Sequence, residues 1–274
     1  MKKTEKKLGG TDQVKLFTVI TGASSGIGQA TAVLMSKNKK SLIICARRKD
    51  KLNDLKKECL KNGSPEIIVL NFDIKTKIGL KIFKDFLIKN SEIKIENLIN
   101  SAGLAKGSEL AQQAQISDWD DMIDTNVKGL MTVTRLLLDR VIKESGHIVN
   151  LGSVAGRIVY EGGAVYCATK FAVRAFSDGL RMDLKGTKVR VTNIEPGMVN
   201  TEFSRVRLGT QQKADLVYQD MMPLSATDIA DAILWCLNQP RHVNIHELVI
   251  YPTDQASVGQ VVRGKNSIKN KKLR

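Results

Sequence analysis

Tyr166 and Lys170 stand four residues apart in Ala164-Val165-Tyr166-Cys167-Ala168-Thr169-Lys170-Phe171, a stretch with helical periodicity. That spacing puts both side chains on one face of a helix. A phenol titrates near ~10 on its own, so it is a poor acid or base at neutral pH. A neighbouring ammonium favours the phenolate and draws that value down, giving a workable proton donor or acceptor. Ser153 follows the apolar run His147–Leu151, at a strand end where α/β sheets place their ligands, and its hydroxyl is suited to donate to a substrate carbonyl. Asn126 lies in an otherwise apolar helical stretch, where a polar side chain needs a partner.

A second group of residues is suited to phosphate. The first strand-like run ends in Thr21-Gly22-Ala23-Ser24-Ser25-Gly26-Ile27-Gly28, and a helical segment follows directly. Glycines let the backbone turn sharply and approach a pyrophosphate, and the next helix offers free N–H groups and the positive end of its dipole. The spacing is Gly-x-x-x-Gly-x-Gly, not the more familiar Gly-x-Gly-x-x-Gly. The second strand ends in Cys45-Ala46-Arg47-Arg48, without the acid that holds a ribose 2′-hydroxyl in an NAD site. Guanidinium groups there suit a 2′-phosphate, which predicts NADP over NAD. The alternative is that both arginines are solvated residues opening the next helix.

The elements that must hold these residues alternate regularly. Nearly continuous apolar runs at Leu16–Ile20, Leu42–Ala46, Ile67–Leu70, Asn97–Ile99, His147–Leu151, Val189–Ile194 and Leu248–Ile250 read as strands buried on both faces. Helical patterns occupy 50–62, 117–143, 165–185 and 226–238, with Ser117 as a capping-box-like start. The alternation predicts βαβ units and a parallel sheet with helices on both faces. With 274 residues, 42% hydrophobic and 26% charged, the chain fits one α/β domain spanning 14–258, with a substrate loop at about 197–225.

Bulk features limit the function classes. The net charge of +15 is concentrated at the ends: residues 1–7 carry +3 and residues 263–274 carry +6. The stretches 1–13 and 259–274 read as solvated basic tails. No aromatic residues interleave with their basic ones, so no nucleic-acid partner is expected. No apolar run approaches the ~18 residues of a membrane span, so no membrane is expected and the cytoplasm is the default compartment. Cys45, Cys59, Cys167 and Cys236 form no CxxC pair and read as reduced thiols. His242 and His246 fall in loop and strand surroundings, and no metal site is expected. Ser153 lies in Gly152-Ser153-Val154-Ala155-Gly156, which lacks the Gly-x-Ser-x-Gly of a hydrolase nucleophile.

Together these residues resemble the short-chain dehydrogenase/reductase family. The matches are Thr21-Gly22-x-x-x-Gly26-Ile27-Gly28, Asp73, Asn100-x-Ala102-Gly103, Asn126, Ser153, Tyr166-x-x-x-Lys170 and Pro196-Gly197, in the family's order over roughly residues 14–252. Ser101 departs from it, because the family often has a second Asn there. The resemblance implies a single-domain, Rossmann-type, doubly wound parallel sheet of seven strands. It implies Tyr166 as general acid/base, Lys170 as holder of the nicotinamide ribose, Ser153 as polariser of the substrate carbonyl, and Asn126 as anchor of a relay water. Gly22, Ser24, Ser25, Gly26, Ile27, Gly28, Arg47, Arg48, Asn100, Ala102 and Gly103 would border the cofactor. Asp73 and Ile74 would contact its adenine, and Pro196, Gly197, Val199 and Thr201 its nicotinamide side. A homo-oligomer, with four subunits expected, would form through 117–143 and 165–185.

Ile194-Glu195-Pro196-Gly197-Met198-Val199-Asn200-Thr201-Glu202-Phe203-Ser204-Arg205-Val206-Arg207, with Val243-Asn244-Ile245 and Pro252-Thr253-Asp254-Gln255-Ala256-Ser257, resembles one branch: the NADP-dependent 3-hydroxy acid dehydrogenases. That implies small substrates of the serine, allo-threonine and 3-hydroxypropanoate type. Their carboxylate needs a cation, and Arg157, Arg205 and Arg207 are candidates, the alternative being surface or subunit contacts. The rival readings are a reductase of 3-oxoacyl thioesters or of assorted carbonyls, and a non-catalytic regulator that senses NADP.

Overall fold

A computed structural model describes residues 15–264. The seven apolar runs form seven strands: β1 (Leu16–Thr21), β2 (Ser41–Ala46), β3 (Ile67–Asn71), β4 (Lys94–Asn100), β5 (His147–Leu151), β6 (Arg190–Pro196) and β9 (Glu247–Ile250). They pair in parallel in the order β3-β2-β1-β4-β5-β6-β9. Continuous apolar character is explained by the two cores. Alternate residues of one strand point to opposite faces. Phe17, Val19, Ile43 and Cys45 join Phe83 and Leu87 of α3 (Lys77–Lys89) and Val133, Leu137 and Val141 of α5 (Leu130–Lys143). Ile20, Leu42 and Ile44 join Ala32 and Met35 of α1 (Gly26–Lys37), Leu52 and Leu55 of α2 (Lys49–Lys61), and Ile229 and Ile233 of α9 (Ala226–Leu237).

The strand order switches direction between β1 and β4, and their C-terminal ends, Thr21 and Asn100, lie side by side in register. A crevice forms at such a switch point because the two connections leave toward opposite faces of the sheet. Gly22, at φ +68°, lets the chain turn there, and a Cβ on it would meet the Ala102 Cα at 2.7 Å. The Ala102 amide N–H donates to the Thr21 hydroxyl at 3.1 Å, which locks the two strand ends together.

Four expectations need correction. The stretch 117–143 is not one continuous helix. It comprises α4 (Ile116–Ile123), a π-helical turn at Asp124–Gly129, and α5. Ser117 is already inside α4, whose first flanking residue is Gln115, so it does not cap. The segment expected as a substrate loop is largely helical, with α7 (Glu202–Leu208) and α8 (Gln211–Val217) between two short paired strands, β7 (Val199–Asn200) and β8 (Leu224–Ser225). Finally, residues 259–264 are not tail. β10 (Gln255–Ser257) and β11 (Gln260–Val261) form a hairpin, and the Arg263 side chain donates to the carbonyls of Val217 and Gln219. The basic stretches 1–13 and 265–274 lie outside the described residues. Among those described, no helix is long and apolar enough to cross a membrane, and no His, Cys, Asp and Glu cluster has metal-binding geometry.

Gly22→Ala adds backbone strain at positive φ and a collision with backbone that cannot swing away. It is expected to lower stability by at least about 1 kcal/mol, which a thermal melt would read as a fall of ~2 °C or more.

Candidate active site

Tyr166 and Lys170 lie on α6 (Ala164–Asp183), both buried, with the Lys170 Nζ 5.8 Å from the Tyr166 ring centre. The ammonium donates to the carbonyl of Leu151, the last residue of β5, at 2.8 Å. Ser153 begins the short 3₁₀ turn Val154–Gly156, accepts from the Ala155 amide at 3.1 Å, and stands close enough to Tyr166 for its hydroxyl to act on the phenol. α6 and β5 thus bring together the three residues that their sequence positions separate.

Burial decides the proton affinities here. It pushes the Tyr166 phenol up, with Tyr160 adding to the rise, while the Ser153 hydroxyl and the Arg207 charge pull the other way. Burial pushes Lys170 down to about 8. The four-residue spacing predicts Lys170 drawing the phenol down. In the structure that charge is turned to Leu151, and Ser153 and Arg207 act on the phenol instead.

Asn126 sits in the π-helical turn, a feature that often marks function because it redirects side chains out of helical register. Its amide accepts from the Leu104 N–H at 2.8 Å, and donates to the Leu104 carbonyl at 2.8 Å and the Thr169 hydroxyl at 3.1 Å. These are the partners its apolar surroundings demanded. A Cβ on Gly103 would lie 3.3 Å from the Asn126 Oδ1 and 3.7 Å from the Lys170 Nζ, so a bare backbone separates the two groups.

The glycine turn fits a dinucleotide. α1 starts at Gly26 with no side-chain cap and no acid in its first turn, leaving its first N–H groups for an anion. A Cβ on Gly28 would meet the Gly22 carbonyl oxygen at 2.6 Å. At the end of β2 the Arg47 side chain is 61% exposed, 3.8 Å from the Asp73 carboxylate. Arg48 folds over the turn instead: its guanidinium bonds the Ser24 hydroxyl at 3.1 Å, the Ser25 hydroxyl at 2.6 Å and the Ser24 carbonyl at 3.3 Å. The exposed Arg47 guanidinium, the free N–H groups of α1 and the bare glycines suit the phosphates of NADP. Thr201 faces Gly26 across the turn, 3.4 Å from where a Cβ would stand. Pro196 ends β6, the Gly197 N–H donates to the Ile250 carbonyl at 2.7 Å, and Val199 accepts from the Tyr218 hydroxyl at 2.7 Å.

Three expected contacts turn away. The Asn100 side chain is buried between strands and donates to Thr134 and Asn150, each at 2.9 Å, so only its backbone borders the crevice. Ile74 packs in the core with Phe72 and Phe83. Arg157 is not free for a substrate: it is ion-paired with Glu195, which is fully buried, and with Glu247. A buried carboxylate unpaired would be costly, so it claims the nearest cation. Arg205 is exposed, with Glu202 at 3.8 Å.

Arg207 is the arginine that reaches the site. Its guanidinium lies 5.9 Å from the Tyr166 ring centre and 5.4 Å from that of Tyr160, and donates to the Tyr160 hydroxyl at 3.0 Å. Phe203 packs at 5.7 Å from the Tyr166 ring. Tyr160, Phe203 and Glu202 were missed as site residues, and their only sequence signal was proximity to Tyr166 or to the substrate loop.

The family model described as short chain dehydrogenase matches residues 17–212. The chain is 42% identical over 247 residues to serine 3-dehydrogenase of Agrobacterium fabrum, covering 89% of this chain and 97% of that protein. It is 40% identical over 247 residues to the NADP-dependent 3-hydroxy acid dehydrogenase of Escherichia coli K12, covering 89% and 98%. A solved closed form of serine dehydrogenase complexed with NADP⁺ superposes with a TM-score of 0.83 at 39% identity, over 90% of this chain and 99% of that one. With the glycine turn, Ser153, Tyr166 and Lys170 placed as they are, the chain belongs to the short-chain dehydrogenase family.

Proposed function

We propose that this chain is an NADP-dependent dehydrogenase of 3-hydroxy acids of the serine, allo-threonine and 3-hydroxypropanoate type, working reversibly on the alcohol and its carbonyl. The observation that carries the substrate class is Arg207. Besides Lys170, which is turned to the Leu151 carbonyl, it is the cation beside Tyr166, and among the described residues no carboxylate lies within ion-pair distance of it. A substrate whose hydroxyl meets Ser153 and Tyr166 can reach this guanidinium with its carboxylate. The relatives named above act on serine and 3-hydroxy acids, which supports the same class.

Bound nicotinamide supplies or accepts the hydride, and the protein supplies position and charge. Tyr166 exchanges the proton at the substrate oxygen, and Ser153 holds that oxygen in line. The buried phenol retains its proton, which suits carbonyl reduction; in the oxidative direction Ser153 and Arg207 oppose that retention. Lys170 holds the nicotinamide ribose, and Asn126, fixed by Leu104 and Thr169, anchors a water behind it. Arg47 holds the 2′-phosphate. The active form is a homotetramer in the cytoplasm. Phe171 and Met182 on the exposed face of α6 support such contacts, and four free, buried thiols suit a reducing compartment.

Absorbance at the reduced-nicotinamide band tests the reaction directly. NADP⁺ with L-serine, L-allo-threonine or 3-hydroxypropanoate is expected to be reduced, NAD⁺ much less, and Tyr166→Phe to abolish turnover. No turnover with any of the three acids, alongside tight NADP binding, would move the reading to a 3-oxoacyl-thioester reductase or a sensor. Arg207→Ala is expected to raise KM for serine by 10-fold or more, roughly the loss of a charge-assisted hydrogen bond, and to change KM for a neutral ketone far less. Arg205→Ala is expected to leave both within about twofold, as for an exposed surface charge.

Lys170 gives a pH signature. Its folded value of about 8 lies below the ordinary 10.5, so between the two the unfolded chain binds more protons. Wild-type stability therefore gains from this group as pH rises through that window. Lys170→Met removes the buried charge. The variant is expected to be more stable than wild type by about 1–3 kcal/mol below pH 8, with the gain shrinking as pH approaches 10.5. Denaturant titrations at pH 7 and pH 10 read the difference, and an equal or lower stability at pH 7 would contradict it.

A further inference from the structure

Both ends of α7 are tied. At its C-terminal end Arg207 exchanges hydrogen bonds with Gly107: the Gly107 N–H donates to the Arg207 carbonyl at 3.0 Å and the Arg207 Nε donates to the Gly107 carbonyl at 3.1 Å. At its N-terminal end Glu202 meets the cofactor side of the crevice. One carboxylate oxygen accepts from the Arg48 Nη1 at 2.8 Å, and the other accepts from the Lys51 Nζ at 3.1 Å, with the Arg205 Nη2 at 3.8 Å. Burial pushes the Glu202 carboxyl up, but the bonds from Arg48 and Lys51 more than offset it and hold it at about 2, so it is ionised throughout the working range.

The use of Arg48 is the telling feature. Every nitrogen of its guanidinium is engaged within the chain: Nε with the Ser24 hydroxyl, Nη2 with Ser25 and the Ser24 carbonyl, and Nη1 with Glu202. Arg48 thus rivets the glycine turn to the start of α7. Arg47, the residue before it, is 61% exposed, and among the described residues its guanidinium has one ion-pair contact, with the Asp73 carboxylate at 3.8 Å. We propose that Glu202 is a positioning residue that latches α7 over the substrate through Arg48 and Lys51, and that Arg48 serves this latch while Arg47 alone carries discrimination for the 2′-phosphate. The latch couples the two halves of the crevice, because α7 delivers Phe203 and Arg207 to Tyr166. The inference rests on the reading of Arg47 and Arg207 given above.

Glu202→Gln tests it, with readouts that need no turnover. In the full chain, limited proteolysis between residues 202 and 217 is expected to speed up at least about threefold, and 1 M NaCl to speed the wild type but not the variant, since salt screens such pairs. Calorimetry with 2′,5′-ADP and 5′-ADP is expected to show the preference for the 2′-phosphate kept within about twofold in Glu202→Gln and in Arg48→Ala, and cut about tenfold or more in Arg47→Ala. Turnover of the hydroxy acid is expected to show KM raised about fivefold by Glu202→Gln with kcat nearly kept, the pattern of lost ground-state positioning. Glu202→Gln should add little in an Arg48→Ala background, because the two act as a unit. Unchanged proteolysis would overturn the latch. A tenfold tighter grip on 2′,5′-ADP in Glu202→Gln would also overturn it, since Glu202 would then be competing with phosphate for Arg48. Should no hydroxy acid turn over while the proteolysis and calorimetry arms hold, the substrate reading fails and the latch stands.

Discussion

The ammonium of Lys170 must be held charged in a dry crevice, and much of the structure around the site follows from that constraint. A buried charge is tolerable only with close polar partners. Its first is the carbonyl of Leu151, which β5 can offer because it is the last residue of the strand. The turn after β5 then has to lie flat on α6. Gly156 makes this possible, because a Cβ there would meet the Lys170 carbonyl oxygen at 2.8 Å. On the other side Gly103 keeps the chain bare between Lys170 and Asn126. One charge thus accounts for the end of a strand, the start of a turn and two glycines in different loops.

The same buried setting explains why the acid/base pair needs outside help. Tyr166 and Lys170 share a helix face, yet burial acts on them in opposite senses, raising the phenol and lowering the ammonium. Each shift favours the neutral form, as desolvation always does. The groups that oppose it on the phenol come from other elements: Ser153 from the end of β5 and Arg207 from α7. Tyr166 is therefore influenced by side chains from elements other than its own helix.

Legibility in the sequence follows a physical divide. Backbone-determined features were readable. Seven apolar runs became the seven strands, since a strand buried on both faces has no polar alternation to hide it. The glycine turn was readable because only glycine serves where the backbone adopts positive φ against Ala102. The π-helical turn at Asp124–Gly129 was not, because a single wider turn shifts the apolar pattern by less than the scatter of the pattern itself. α7 and α8 were hidden for a related reason: at seven residues each they are too short for periodicity to emerge, and their caps, Thr201 and Thr210, are the main local marks. Residues 259–264 were read as tail because the basic residues from 263 onward dominated the reading of charge, although 260–261 form the second strand of a hairpin.

Side-chain roles divide differently. Short side chains go where the backbone carries them, so Ser153 lies at the strand end and Asn126 in the helical stretch where the sequence put them, while their roles were drawn from the family resemblance. Arginines cannot be placed so, because a guanidinium travels several ångströms from its Cα and settles by competition among carboxylates. Four candidates show the outcome: Arg157 is taken by Glu195 and Glu247, Arg48 by Glu202, Arg205 remains exposed beside Glu202, and Arg207 reaches the tyrosines. The sequence did hold the key to the first of these. Glu195 interrupts the apolar run of β6, and a carboxylate fully buried in a parallel sheet requires a cation from the neighbouring strand-end loop. Assigning arginines to such obligate acids before any ligand removes Arg157 from the substrate candidates and leaves Arg205 and Arg207.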